Sequence, residues 1–294
     1  MTVRNNEERL NTPEVEPPVS AAAPQQQQVA QPKQEESNGL QFVTPTEFVE
    51  LPSRGKYYPD THPLYNKEVI EIRYMTAKDE DILSSQTLLR KGIAVERLLQ
   101  NIVLDQSIRV NTLLIGDKNA ILLAARCSGY GADYKTQVDC PKCGTTNTHT
   151  FDLNELSSTN MTEGRRELSV TETANGTFIT ILPKSGVNAE FRLLTGEDEV
   201  KLTKTAQRRR KNDLPDTAIT EQLKIAIVSV NNETDKRIIE QFVDNMPAFD
   251  SRYFRALYAD IMPTIDLIQS FVCNECGSDE EVEVPFTADF FWPG

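Results

Sequence analysis

Two short runs place paired thiols at one spacing: CPKCG, from Cys140 to Gly144, and CNECG, from Cys273 to Gly277. A C-x-x-C pair on a tight turn between strands aims two thiolates at one point, and the glycine after the second cysteine permits the positive φ such a turn needs. Two turns of this kind supply four soft sulfur ligands, the set that selects zinc in a tetrahedral site. The spacing therefore predicts a four-cysteine structural zinc ribbon built from Cys140, Cys143, Cys273 and Cys276. Four thiolates leave no open position for water, which sets catalytic zinc aside; redox-active dithiols and inert thiols are the other chemistries these pairs allow. Cys127, in an apolar helical stretch, reads as a small half-buried side chain. His149, on the core side of a strand, reads as a packing residue rather than a fifth ligand.

Other chemistry is thinly supplied. The chain has no G-x-G-x-x-G, Walker loop, G-x-S-x-G or H-E-x-x-H, and His62 and His149 are its two histidines, so histidine base catalysis has little to work with. Arg208 to Lys211 (RRRK) form a strong basic run that could grip phosphate or an acidic surface. It closes a helix opening at Thr195, where cations complement the C-terminal dipole, so a solvated helix end is the favoured reading.

The elements that must carry the cysteines follow from periodicity. From Phe42 an extended arm carries Pro45, Pro52 and Pro59, each denying a ladder its donor. Ile70, Ile72 and Tyr74 then alternate with Glu71 and Arg73 as a half-buried strand, and Thr76 with Asp79 predicts a helix start. Val95, Leu98, Leu99, Ile102 and Val103 share one helical face. Asp117 is expected to cap a third helix ending near Ser128 and Gly129, after which Tyr134, Thr136 and Val138 alternate into Cys140.

The same series recurs later in the chain. LPSRG at Leu51 returns as LPKSG at Leu182, and IEIRYMTAKDEDIL from Ile70 returns as AEFRLLTGEDEVKL from Ala189, pairing Arg73 with Arg192, Thr76 with Thr195 and Asp79 with Asp198. Asp117, Ile121, Val138, Cys140 and Cys143 pair with Asp250, Phe254, Phe271, Cys273 and Cys276 at a constant offset of 133 residues. Three collinear blocks predict a tandem duplication. The expected architecture is α+β: two strand–helices–strand halves joined by the zinc ribbon. Its parts are a disordered Pro/Gln-rich tail over 1–40, a first repeat with the arm and first knuckle over 41–153, a linker over 154–176, a second repeat with the second knuckle over 177–288 and a short C-terminal tail over 289–294.

Charge narrows the partners. Against 31 Lys and Arg stand 44 Asp and Glu, a formal net charge of −13 that repels a nucleic-acid backbone. Residues 1–40 hold five Pro and six Gln with few large apolar side chains, too little to offset the entropy of ordering. No apolar run reaches the roughly 18 residues of a membrane span, and the first ten residues lack a secretory signal, so a soluble cytosolic protein is expected.

The residues LPSRGKYYP, IEIRYMTAKDEDIL and LLIGDKNAILLAARCSGYGADY, leading into CPKCG, resemble baseplate hub subunits or hub-assembly proteins of T-even-type contractile-tail bacteriophages. The resemblance covers roughly residues 42–153 and, more weakly, 177–288. It implies a non-enzymatic structural or assembly role, other phage baseplate and hub proteins as partners, and a location in the host cytoplasm during assembly and in the virion tail. A zinc-ribbon nucleic-acid-binding or transcription-associated protein is the competing reading; the ribbon and the RRRK run favour it, and the net charge and lack of a stacking platform oppose it.

Overall fold

Alternating apolar residues, a capped helix and a second alternation set up each part of the fold. The computed structural model describes residues 44–156, 158–159, 170–285 and 288–291. The expectation of disorder over residues 1–40 lies outside them, as do parts of the expected linker and C-terminal tail. The described residues fall in one unit, Val43–Gly294.

Strand β1 (Thr46–Glu50) pairs antiparallel with β2 (Val69–Arg73), Val49 opposite Ile70 on the buried face. Helices α1 (Ala77–Ser84), α2 (Gln86–Lys91) and α3 (Ala94–Ile102) follow, then a 3-10 turn, Val110–Thr112, and α4 (Ile115–Tyr130). Hairpin β3 (Asp133–Asp139) and β4 (Thr146–Asp152) carries the first cysteine turn. A short β5 (Ser158–Thr159) precedes β6 (Val170–Glu172), β7 (Phe178–Ile181) and β8 (Asn188–Phe191). Helices α5 (Gly196–Lys211) and α6 (Ala218–Ala226) lead into β9 (Ile227–Val230), which completes an antiparallel sheet in the order β6-β7-β8-β9. Then come α7 (Lys236–Asp244), α8 (Ala248–Ile261), β10 (Thr264–Ile265), which pairs with β5, and the second cysteine hairpin, β11 (Ile268–Val272) and β12 (Asp279–Glu283). A 3-10 turn, Ala288–Phe291, follows. The molecule is thus mixed helix and sheet.

The proline-containing stretch after Phe42 contributes β1, and Pro52 opens the turn beyond it. Helix α1 opens as Thr76 and Asp79 predict. The amide and hydroxyl of Thr76 both donate to the Asp79 carboxylate at 2.8 Å, while Arg73 grips the same carboxylate through two nitrogens at 2.7 and 3.0 Å. At α5, Thr195, Asp198 and Arg192 repeat this construction, with Arg192 at 2.7 and 3.1 Å. A bidentate guanidinium on a capping carboxylate ties strand to helix at a fixed angle. Helices α3 and α6 each end in an extended residue beside the preceding strand, as Val103 bridges Ile72 and Ile227 pairs with Phe191.

Asp117 does a different job from the one its sequence position suggests. Leu114 stands at the cap of α4, and Asp117, fully buried in the first turn, accepts hydrogen bonds from the Ser53 amide (2.9 Å), the Ser53 hydroxyl (2.5 Å) and the Tyr58 hydroxyl (2.8 Å). Burial raises its pKa, against the lowering effect of those donors. Asp250, in the first turn of α8, likewise accepts the amides of Lys184 and Ser185 at 2.7 and 2.9 Å. Each carboxylate anchors the loop after a strand onto a helix N-terminus, where an acid also complements the dipole. The glycines of these loops, Gly55 and Gly186, share a φ of 68°.

The two cysteine-bearing regions share one core. The Gly196 amide donates to the Leu113 carbonyl at 2.9 Å, the Ile115 amide to Leu194 at 3.3 Å, and a Cβ on Gly116 would strike the Pro263 carbonyl. Phe178 stacks on Phe191 and Phe254 on Tyr258, with Phe191 meeting Phe254 edge-on, within the same buried cluster. Arg126, with 0% exposure, donates to the carbonyls of Gly131, Asp133 and Phe290, locking the end of α4, the start of β3 and the 3-10 turn together.

Candidate metal centre

Hairpins β3–β4 and β11–β12 end in turns of matching form. The Cys140 amide donates to the Thr145 carbonyl (3.0 Å) and the Gly144 amide to the Cys140 carbonyl (2.9 Å); the Cys273 amide donates to Ser278 (2.9 Å) and the Gly277 amide to Cys273 (3.0 Å). Gly144 and Gly277 have φ of 72° and 67°, the left-handed conformation that a side chain would strain. Below the tips, Val138 and Phe271 point into the core, so the hairpins enter the site from a fixed base.

The turns bring all four sulfurs together. Cys140 Sγ lies 3.8 Å from Cys276 Sγ and Cys143 Sγ 3.7 Å from Cys273 Sγ, and the whole quartet falls within 4.8 Å. A regular tetrahedron with metal–sulfur bonds of about 2.3 Å has edges of about 3.8 Å, so the two closest approaches already have the spacing of a tetrahedral thiolate site. Those approaches join one turn to the other, and all four cysteines are free thiols. Cys140 and Cys273 are buried at 2% and 1% exposure, whereas Cys143 and Cys276 are exposed. The group could therefore hold a metal ion, shielded on one side and open on the other.

Neighbouring polar groups steady the sulfurs. Asn147 Nδ2 approaches Cys273 Sγ at 3.5 Å while its Oδ1 accepts the Asn274 amide at 3.1 Å, so a β4 side chain holds the opposite turn. The Ser278 hydroxyl lies 3.1 Å from Cys276 Sγ and 3.6 Å from Cys140 Sγ. The Cys140 thiol is pulled down to about 6 by the Cys143 amide and then the Ser278 hydroxyl; Ser278 also lowers Cys276. Groups that stabilise thiolate favour the form a metal binds. Sequence spacing located the four sulfurs but not Asn147 or Ser278. The available signal for Ser278 was that it and Thr145 both follow the Cys-Gly pair directly.

The remaining candidates lie elsewhere. Cys127 is half-buried on α4 and outside the quartet, its pKa raised by burial. His149 packs edge-on to Phe151 and Phe271 at ring separations of 4.6 and 5.4 Å. Arg208 to Lys211 form the last turn of α5, Arg209 donating to the Pro215 carbonyl at 2.7 Å. Among the described residues no helix is long and apolar enough to cross a membrane.

The helix-and-sheet scaffold thus presents two cysteine hairpins to one point, with its polar interior engaged in holding loops and helix ends. The family model for the T4 bacteriophage base plate protein matches residues 44–292, and the chain belongs to that family. No curated protein and no solved structure gives a significant match. Membership indicates a structural component of a phage tail baseplate, working among other baseplate proteins.

Proposed function

We propose that this chain is a non-enzymatic structural or assembly subunit of the baseplate hub, made of two halves that arose by tandem duplication and are clamped by one structural zinc. The halves run over 41–153 and 177–288, joined by a linker at 154–176, and the protein works in the host cytoplasm during assembly and in the tail of the virion. The observation that carries this reading is the convergence of two thiols from each half within 4.8 Å. Cys140, Cys143, Cys273 and Cys276 would hold the ion, which supplies a cross-link and no reactive position. The duplication draws support from the paired Arg–carboxylate caps, the buried acids of α4 and α8, and the two cysteine turns. Beside the second turn, β12 exposes Asp279, Glu281 and Glu283, a face unsuited to a phosphate backbone.

Elemental analysis of protein purified without chelator tests the clamp. One zinc per chain is expected, lost in a Cys143→Ser/Cys276→Ser double variant. Protein devoid of metal refutes the clamp, and one zinc per two chains moves it to an interface between copies. Mass spectrometry of virions and assembly intermediates tests the hub role; absence from both overturns it.

A further inference from the structure

Strands β1 and β7 occupy matching places: each pairs antiparallel with the strand after it, each runs into an L-P-x-x-G turn, and each turn is held by a buried aspartate. Counting back from Leu51 and Leu182 matches Phe48 with Ile179, Glu47 with Phe178 and Pro45 with Gly176. The outer edges of the two strands differ. β7 is covered by β6, with Thr171 opposite Ile179 and Glu172 opposite Phe178. β1 lies in a two-stranded sheet with β2. The Tyr74 amide donates to the Pro45 carbonyl (2.9 Å) and the Leu51 amide to that of Glu68 (2.8 Å), so the alternation of an antiparallel ladder turns the amides and carbonyls of Thr46, Phe48 and Glu50 outward, where no described strand meets them.

We propose that the outer edge of β1 receives an extended strand of another protein, one that alternates apolar residues with lysine or arginine. An unpaired edge is a template for strand addition, in which main-chain hydrogen bonds give affinity and alternate side chains give specificity. Phe48 stands 69% exposed on one face of this edge. On the other face Glu47 Oε1 is buried with no hydrogen-bond partner among the described residues, where the second sheet has the buried Phe178. Because successive residues of a strand point to opposite faces, one strand brings an apolar side chain to Phe48 and a cation to Glu47. The occupant comes from another molecule because of Pro45. In the second sheet β6 reaches β7 through a tight turn in which the Gly176 amide donates to the Thr173 carbonyl at 3.2 Å and Gly176 has a φ of 73°. Proline has no amide hydrogen and its ring holds φ near −65°, so the residues before β1 do not return along it by that turn. Neither the metal nor a hub location enters this inference.

The probe is a short synthetic peptide alternating lysine with valine, added to the full-length protein while amide exchange is followed by NMR. In the free protein the amides of Phe48 and Glu50 should exchange several-fold faster than that of Val49, and the peptide should slow them several-fold. A peptide N-methylated on the residues that face the edge lacks the donors and should bind about tenfold more weakly, as should the parent peptide to Phe48→Ser and to Glu47→Gln, with circular dichroism checking that the fold persists. Slow exchange at Phe48 and Glu50 in the free protein at every dilution means that the chain covers its own edge and overturns the proposal; slow exchange lost on dilution assigns the edge to a second copy and overturns it equally. Absence of binding, equal binding of the N-methylated peptide or of one alternating glutamate with valine, or protection confined to residues away from β1 also overturns it.

Discussion

Replacing Cys140 with serine removes one of the four sulfurs and, on the clamp reading, should weaken the distant hairpin as much as its own. A metal joining Cys143 to Cys273 closes a loop over 129 intervening residues. In the chain-entropy model, cross-linking a loop of about that length stabilises by roughly 5 kcal/mol. Three sulfurs hold a metal less tightly than four, so a loss of about 3 kcal/mol or more is expected, a large share of the roughly 5–15 kcal/mol that holds a domain folded. Amides that exchange through global opening should then exchange about 100-fold faster. Hydrogen exchange read by mass spectrometry should show this acceleration in β11 and β12 as well as β3 and β4, and chelator-treated wild type should show the same map. Cys127→Ser, which alters a half-buried side chain on α4 outside the quartet, should leave β11 and β12 unchanged. Acceleration confined to β3–β4, or a wild-type map insensitive to chelator, refutes the shared site.

Two further perturbations test the scaffold that aims the hairpins. Asp79 and Asp198 are held at about 2, below 3.8, because hydrogen bonds from Arg73 and Thr76, and from Arg192 and Thr195, outweigh burial. The unfolded chain thus binds more protons, so the stability they contribute is complete above about pH 5 and disappears as pH falls from about 4 through 2. At about 1–2 kcal/mol each, the urea midpoint of wild type should fall toward that of Asp79→Asn/Asp198→Asn over this window; a constant gap between the two proteins contradicts the assignment. Gly116→Ala should cost about 1–3 kcal/mol by driving a methyl group into the Pro263 carbonyl. Gly92→Ala, in open space at φ 67°, should cost about 1 kcal/mol, and equal melting temperatures for the two variants would refute the contact.

What could be read in the sequence was local. The cysteine quartet, β2, and the starts of α1 and α5 announce themselves through spacing, alternation and a threonine three residues before an aspartate. Asp117 was legible as an acid near a helix start, but not as the anchor of the Ser53 turn, because its donors lie 64 and 59 residues away in sequence. Arg126 gave no signal, since its partners are backbone carbonyls, which carry no side-chain identity. The break between α1 and α2 at Ser85 also went unread; the corresponding stretch of α5 runs unbroken for 16 residues.

The cysteines sit at the ends of two-stranded hairpins. Both β3–β4 and β11–β12 are two-stranded sheets, and a lone hairpin is marginal in water without packing or a third strand. At their bases each is supported: Tyr134 donates to the Pro285 carbonyl at 3.1 Å, Gln269 to that of Asp152 at 2.6 Å, and His149 meets Phe271. Toward the tips the contacts between hairpins include the Asn147 bridge and the sulfurs themselves. A metal there would do for the tips what a continuous sheet does elsewhere. It would constrain the two hairpins against each other at their tips, where Cys140 and Cys273 are buried while Cys143 and Cys276 face solvent.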